Sequence, residues 1–267
     1  MSKHEVYKKQ PRVEEQMNTG KLPTKLKKEP LVDAVFELRF SSSVLASSVL
    51  PGLFFPHITD VNKQIDRLPI ADITDQLRAN DPNLRFHPLF KLHWGQFFVF
   101  VGDSSLSVAC KMPYPGWAAF KEQIIKVIDI IKDAKIINTV DRYAIKYVDI
   151  MEGTDLAEQV SRLNLSLKLG THSLTSESFS VRIEIIRDEF IHVTQVAAPA
   201  SVTTFDGRTL SGVITEIDTI CNYQTSDLLS LSKILPNRLD EIHMSNKKVF
   251  FECLTQETIK YLEPSYD

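Results

Sequence analysis

Ten residues, Leu31 to Phe40, constrain this chain more than any others: they read LVDAVFELRF. Successive side chains of a strand point to opposite faces, so Val32, Ala34, Phe36, Leu38 and Phe40 share one side, and Asp33, Val35, Glu37 and Arg39 share the other. A slip of one residue would carry three charges into the core and the apolar row into water, so the register is strongly specified. The run predicts a strand with one buried face, and the packed fold begins here.

Behind it the chain alternates strand signals with helix signals. Leu84 to Trp94, Gln96 to Val101 and Ser105 to Lys111 read as an antiparallel meander, with Gly95 and Gly102-Asp103-Ser104 as its turns. Phe97 to Val101 is apolar on both faces, which predicts a central strand covered on both sides. Pro113-Tyr114-Pro115-Gly116 then feeds a helix in which Trp117, Phe120, Ile124, Val127, Ile128 and Ile131 recur every three or four residues.

The second half has the same grammar. Val140 to Ile150, Leu165 to Leu169, Phe179 to Ile186, Ile191 to Ala197 and Leu210 to Ile220 read as strands. A helical tail begins near Asp227, with Pro236 expected in a first helical turn and Thr255 as the cap of a last short helix. The expectation is an α+β fold of mostly antiparallel sheet covered by two principal long helices, with two loosely repeated halves, 25–137 and 138–267. Residues 1–24 read as a polar, basic, flexible arm preceding a single domain over 25–267. Between Pro56 and Asn83 a long connection with a turn of helix near Ile73 to Arg78 reads as a candidate binding loop.

Composition narrows the function class. The chain of 267 residues has a net charge of −3, but residues 1–30 carry eight Lys or Arg against four Glu, while the rest carries 23 basic against 30 acidic residues. An acidic body disfavours broad nucleic-acid binding, which leaves the basic arm as the one route to a phosphate backbone. Cys110, Cys221 and Cys253 are odd in number and widely spaced, so they read as reduced thiols rather than a disulfide framework or a zinc ribbon. With no apolar leader segment and no run long enough to cross a membrane, the sequence predicts a cytoplasmic protein without a membrane partner.

LVDAVFELRF, preceded by Lys25 to Pro30, resembles the opening of a sporadically distributed bacterial family of uncharacterised proteins, whose members begin with variants of PIVEAVxEIRF. Pro113-Tyr114-Pro115-Gly116-Trp117 with Phe120 is similar to that family's PYPGW turn and helix. Arg142-Tyr143 through Tyr147 resembles its following strand, and His243, Phe251-Glu252 and Thr255 resemble its closing helix. Asp33 stands where Glu is commoner, which keeps the charge. The resemblance implies no established activity and no catalytic residues, and it implies a distribution typical of defence-associated or mobile genes.

None of the nine glycines forms GxGxxG or GxxxxGK, and GxSxG, HExxH, CxxC and the calcium loop are absent. No catalytic residue, metal-ligating set or cofactor motif is therefore read. Four lysines, Lys21, Lys25, Lys27 and Lys28, form the candidate contact cluster. Glu37, Arg39, Arg142 and Lys146 are candidates for lining a cleft, and His243 is the residual acid–base candidate, with Asp240 three residues before it. His87 and His93 share strand parity without a third ligand in view.

These readings predict a non-enzymatic interaction protein with a protein partner, including a second copy of itself as a homodimer, in a defence or toxin–antitoxin-like gene pair. Two alternatives remain open: a small-ligand sensor with a pocket between sheet and helix, and an enzyme with a dispersed acid–base site.

Overall fold

The structure, a computed structural model, describes residues 21–204, 207–223 and 227–266. In chain order the first half contains β1 (Lys25–Leu26), β2 (Leu31–Ser42), α1 (Ala46–Phe54), β3 (Ile65–Arg67), α2 (Asp75–Asn80), β4 (Pro88–Trp94), β5 (Phe97–Gly102), β6 (Ser105–Cys110) and α3 (Trp117–Ala134). The second half contains β7 (Ile137–Glu152), α4 (Leu156–Ser161), β8 (Lys168–Leu169), β9 (His172–Ser173), β10 (Phe179–Arg187), β11 (Phe190–Thr203), β12 (Thr209–Asn222), α5 (Leu228–Glu252), α6 (Gln256–Tyr261) and β13 (Pro264–Ser265).

Nine of these strands form one antiparallel sheet in the order β10-β11-β12-β7-β2-β6-β5-β4-β3, so the fold is α+β. Each half contributes a long strand, a short helix, a three-stranded meander and a longer helix, and the two long strands β7 and β2 pair at the centre. The two expected halves thus meet along one ladder.

The alternation of LVDAVFELRF sets the layering. Ala34, Phe36, Leu38 and Phe40 are fully buried on the helix side, whereas Asp33, Val35, Glu37 and Arg39 stay partly exposed on the other. Val32 leaves the row because the ladder to β7 shifts between Leu31 and Asp33. Beneath the apolar row lie α1 and α3, whose Leu50, Phe54, Phe120, Ile124, Val127 and Ile131 complete the larger core cluster. Each such side chain contributes about 1.5–3 kcal/mol on burial. A smaller cluster joins Met151, Val196, Val213 and Ile217 to Val249, Phe250 and Phe251 of α5 and Ile259 of α6.

Three details differ from the sequence reading. Pro236 lies inside a continuous 25-residue α5 rather than in its first turn; the cap is Asp227, whose side chain accepts from the Ser230 amide. Leu165–Leu169 is not a strand of the main sheet, and only Lys168–Leu169 pairs, with His172–Ser173. β5 is interior to the sheet, but Phe98 and Phe100 lie half-buried on the face without helices, Phe98 under two lysines rather than under a second layer. A central strand reads as apolar on both faces whether its second face meets a helix or long amphipathic side chains.

The connection between α1 and β4 closes an edge. β3 pairs with β4 as the last strand, and Arg78 of α2 reaches the β5–β6 turn, where its Nε donates to Asp103 Oδ2 at 2.8 Å. Asp103 also accepts from Ser47 Oγ of α1. Gly102 permits this turn, because a Cβ there would lie 2.7 Å from the His87 carbonyl oxygen. Among the described residues, no helix is long and apolar enough to cross a membrane.

Candidate functional site

Among the described residues, no helix packs on the face of the sheet opposite α3 and α5, and four of the five cleft candidates meet there. Arg39 of β2 and Arg142 of β7 are directly opposite in register, a repulsive cross-strand pair. Glu37 resolves it by bridging. Its Oε1 accepts from Arg39 Nε at 2.6 Å and from Arg142 Nη2 at 2.9 Å. Arg39 also lies over the Phe86 ring at 4.3 Å, a cation–π contact.

Lys146, two pleats along β7, is opposite Asp218 of β12 and 3.8 Å from Glu216. Burial raises the Asp218 carboxyl to about 6, against the lowering influence of Arg142 and Lys146. Glu216 and Asp218 were not among the sequence candidates. Their signal was present, since they alternate with Thr215, Ile217 and Thr219 along a predicted strand and so share the parity of an exposed row.

Towards β3 the same face becomes aromatic. Lys91 and Lys111 lie over Phe98 at 3.9 and 4.8 Å, His93 meets Phe98 edge-on with centroids 5.0 Å apart, and His93 bonds Asp66 at 2.8 Å. His93 thus has a carboxylate partner from β3, and His87 lies in the turn before β4. Among the described residues, no group of three or more His, Cys, Asp or Glu is arranged to hold a metal ion. The face is therefore a mosaic in which each cation named here is paired to an acid or capped on a ring.

His243 lies on the other side of the sheet, away from the other cleft candidates. Its ring stacks on Trp117, with centroids 4.1 Å apart and planes 6° from parallel, and its Nδ1 shares a 2.9 Å hydrogen bond with Tyr147 Oη. Burial, with the nearby Lys247 charge, lowers its pKa to about 3, so the ring is neutral at physiological pH. Asp240 does not pair with it: Asp240 accepts from Trp117 Nε1 at 2.9 Å and from Lys121 Nζ at 2.6 Å.

Tyr114, from the Pro113–Trp117 turn, packs edge-on against Tyr147, and burial raises its hydroxyl well above the ordinary phenol range. Asp149, two residues beyond Tyr147 on the same strand face, is buried, and desolvation raises it to about 8, reinforced by Glu29. The 113–117 turn, the β7 strand and α5 thus converge on one uncharged nest. Trp117 covers the imidazole, so the nest reads as a structural joint between α3, α5 and β7.

The four candidate lysines divide. Lys27 and Lys28 pair with Glu263 at 2.9 and 3.0 Å, and Lys28 also caps the Tyr261 ring. Lys25 belongs to β1, which pairs with β13. Lys21 lines a groove with Lys248, Asn164 and Gln256. The 21–28 segment is therefore laid along the C-terminal elements, while residues 1–20 of the expected arm lie outside the described residues.

No protein-family model matches the chain, and no curated protein sequence matches it.

Proposed function

We propose that this chain is a non-enzymatic binding protein whose open sheet face receives a protein partner. The observation that carries the reading is the one-sided layering. A sheet of nine strands buries one face against helices and presents on the other a row of balanced charges, Glu37, Arg39, Arg142, Lys146, Glu216 and Asp218, beside the aromatic patch of Phe98 and Phe100. A phosphate backbone calls for uncompensated cations, whereas a face of both signs around aromatic and apolar side chains has the composition of a protein interface. The likeness to the bacterial family, and with it a place in a defence or toxin–antitoxin-like gene pair, belongs to the same proposal. So does the reading of the halves as a pseudo-repeat with α3 and α5 as the principal covers.

The test is co-purification of the tagged full chain expressed with its neighbouring genes. A Phe100→Glu, Lys146→Glu variant alters the open face, and Lys121→Ala alters the helix side. The proposal expects one protein retained by the wild type and by Lys121→Ala, and at least tenfold depleted on the face variant. Retention of nothing, or capture indifferent to the face substitutions, overturns it.

One observation favours the small-ligand alternative. Val181, Ile183 and Ile185 of β10, Thr194 and Val196 of β11, and Val249 and Cys253 near the end of α5 line a groove of about 220 Å³, and the buried Thr194 Oγ1 has no hydrogen-bond partner. The groove lies between sheet and helix, though its volume is below the usual range for small-molecule pockets.

A further inference from the structure

Among the described residues β10 is the last strand of the sheet on one side, and it is long for an edge: nine residues, without proline or bulge. Natural sheets usually blunt such an edge, because its unpaired N–H and C=O groups form a template for another strand. The opposite edge is the three-residue β3. The tight Asp188-Glu189 turn is closed by the Arg187–Phe190 pair. In a two-residue hairpin that closing pair is hydrogen-bonded, so the odd residues of β10 bond inward to β11 and the even ones, Ser180, Arg182, Glu184 and Ile186, aim their backbone groups outward.

The side chains along this edge are self-complementary. On the helix side Val181, Ile183 and Ile185 form an apolar row, with Ile183 48% exposed. On the open side Arg182 and Glu184 carry opposite charges, paired with each other at 2.8 Å.

We infer that the chain forms a two-fold dimer by antiparallel pairing of β10 with β10 of a second copy, centred on Ile183. Ile183 is the middle residue of the strand, so this register uses all nine positions. It sets Arg182 opposite Glu184 of the second copy and Glu184 opposite its Arg182. Val181 lies against Ile185 of the second copy, and Ile183 against itself. Neighbouring two-fold registers fail on charge: centring on Arg182 places Arg against Arg, and centring on Glu184 places Glu against Glu. The outward-facing backbone groups of residues 182 and 184 then bond each other, as the pairing requires.

The contact is isologous, as a two-fold demands, and it joins two nine-stranded sheets edge to edge. The two open faces then lie side by side, and the apolar groove along β10 continues across the axis. The inference stands independently of the protein-partner reading, since it concerns the edge rather than the face.

Sedimentation velocity on the full chain tests it, with thermal unfolding to verify that each variant folds. The wild type is expected to be a dimer. Arg182→Glu and Glu184→Arg each place like charges across the axis and should weaken the dimer at least tenfold, and the double exchange should restore it. Ile183→Cys places two thiols in directly opposed, non-hydrogen-bonded positions, so mild oxidation should give a covalent dimer that the wild type does not form. A monomeric wild type, single exchanges without effect, a double exchange that stays monomeric, or a cysteine variant that does not cross-link each overturns the inference.

Discussion

The two halves of the sheet share a connectivity but not an interior. In the first half the helix-facing rows are apolar: Phe36, Leu38 and Phe40 on β2, Leu92 and Trp94 on β4, Val99 and Val101 on β5, Leu106 and Val108 on β6. In the second half the same rows contain Asp149, His192, Thr194, Thr215 and Thr219, all buried. Asn246 of α5 answers part of that polarity, donating from Nδ2 to the Ile217 carbonyl and to Thr219 Oγ1, each at 2.9 Å, while Thr219 bonds His192 Nδ1. The edges differ too, one capped by β3 and α2, the other ending, among the described residues, in β10. A dry, capped half supplies burial energy, and a polar, open half supplies directional contacts and a free edge.

The capped edge can be broken at its anchor. Arg78 and Asp103 are both about nine-tenths buried and form one ion pair 25 residues apart in sequence. Arg78→Met leaves the Asp103 carboxylate without its guanidinium, and removing one partner of a buried pair costs about 3–5 kcal/mol. The expected outcome is a loss of that size in denaturant unfolding, together with new proteolytic cleavage between Ile58 and Asn83. An unchanged midpoint would mean that the cap contributes nothing and that the two edges are equivalent.

Much of this contrast was legible before the structure, and the rest was hidden for identifiable reasons. Alternation in LVDAVFELRF and in Phe179 to Ile185 gave register because each strand has one wet face. The spacing from Trp117 to Ile131 likewise gave α3. The open second face was not legible, because Phe97 to Val101 has one pattern whether a helix or a lysine stem covers Phe98. Pro236 obscured α5, since proline inside a helix forfeits a backbone bond and ordinarily marks a boundary. The convergence of Glu37, Arg39, Arg142 and Lys146 followed from strand parity once β2 and β7 became neighbours. The placement of His243 did not, because its partner Tyr147 is 96 residues away.

The polar interior can be sharpened by pH. Asp149 has its folded pKa raised to about 8 from 3.8, so the folded state holds a proton that the unfolded chain has released, and stability falls as pH rises between those values. His243 has its folded pKa lowered to about 3 from 6.5, so its contribution rises with pH and levels off above about 7. Between pH 7 and 8 the slope is therefore dominated by Asp149. There the wild type should lose about 1 kcal/mol, from a limiting slope of about 1.4 kcal/mol per pH unit for one proton. Asp149→Asn should be flat over the same interval in urea unfolding. Equal slopes in the two proteins would place the carboxyl in water and erase the difference between the two interiors.

The seam between the halves gives the smallest effect. Glu37 bridges Arg39 and Arg142 across the β2–β7 ladder, with all three side chains about three-quarters buried at 23–27% exposure. Glu37→Gln keeps the shape and a hydrogen-bond acceptor but removes the negative charge that offsets two facing guanidiniums. Part of that loss is met by water on the open face, so the expected cost is about 0.5–1 kcal/mol and should shrink as salt screens the arginine pair. Unfolding at 0.05 and 1 M salt measures both. A cost of several kcal/mol, insensitive to salt, would mean that the face is sealed from solvent. In that case the layering would be two-sided and the open face no platform for a partner.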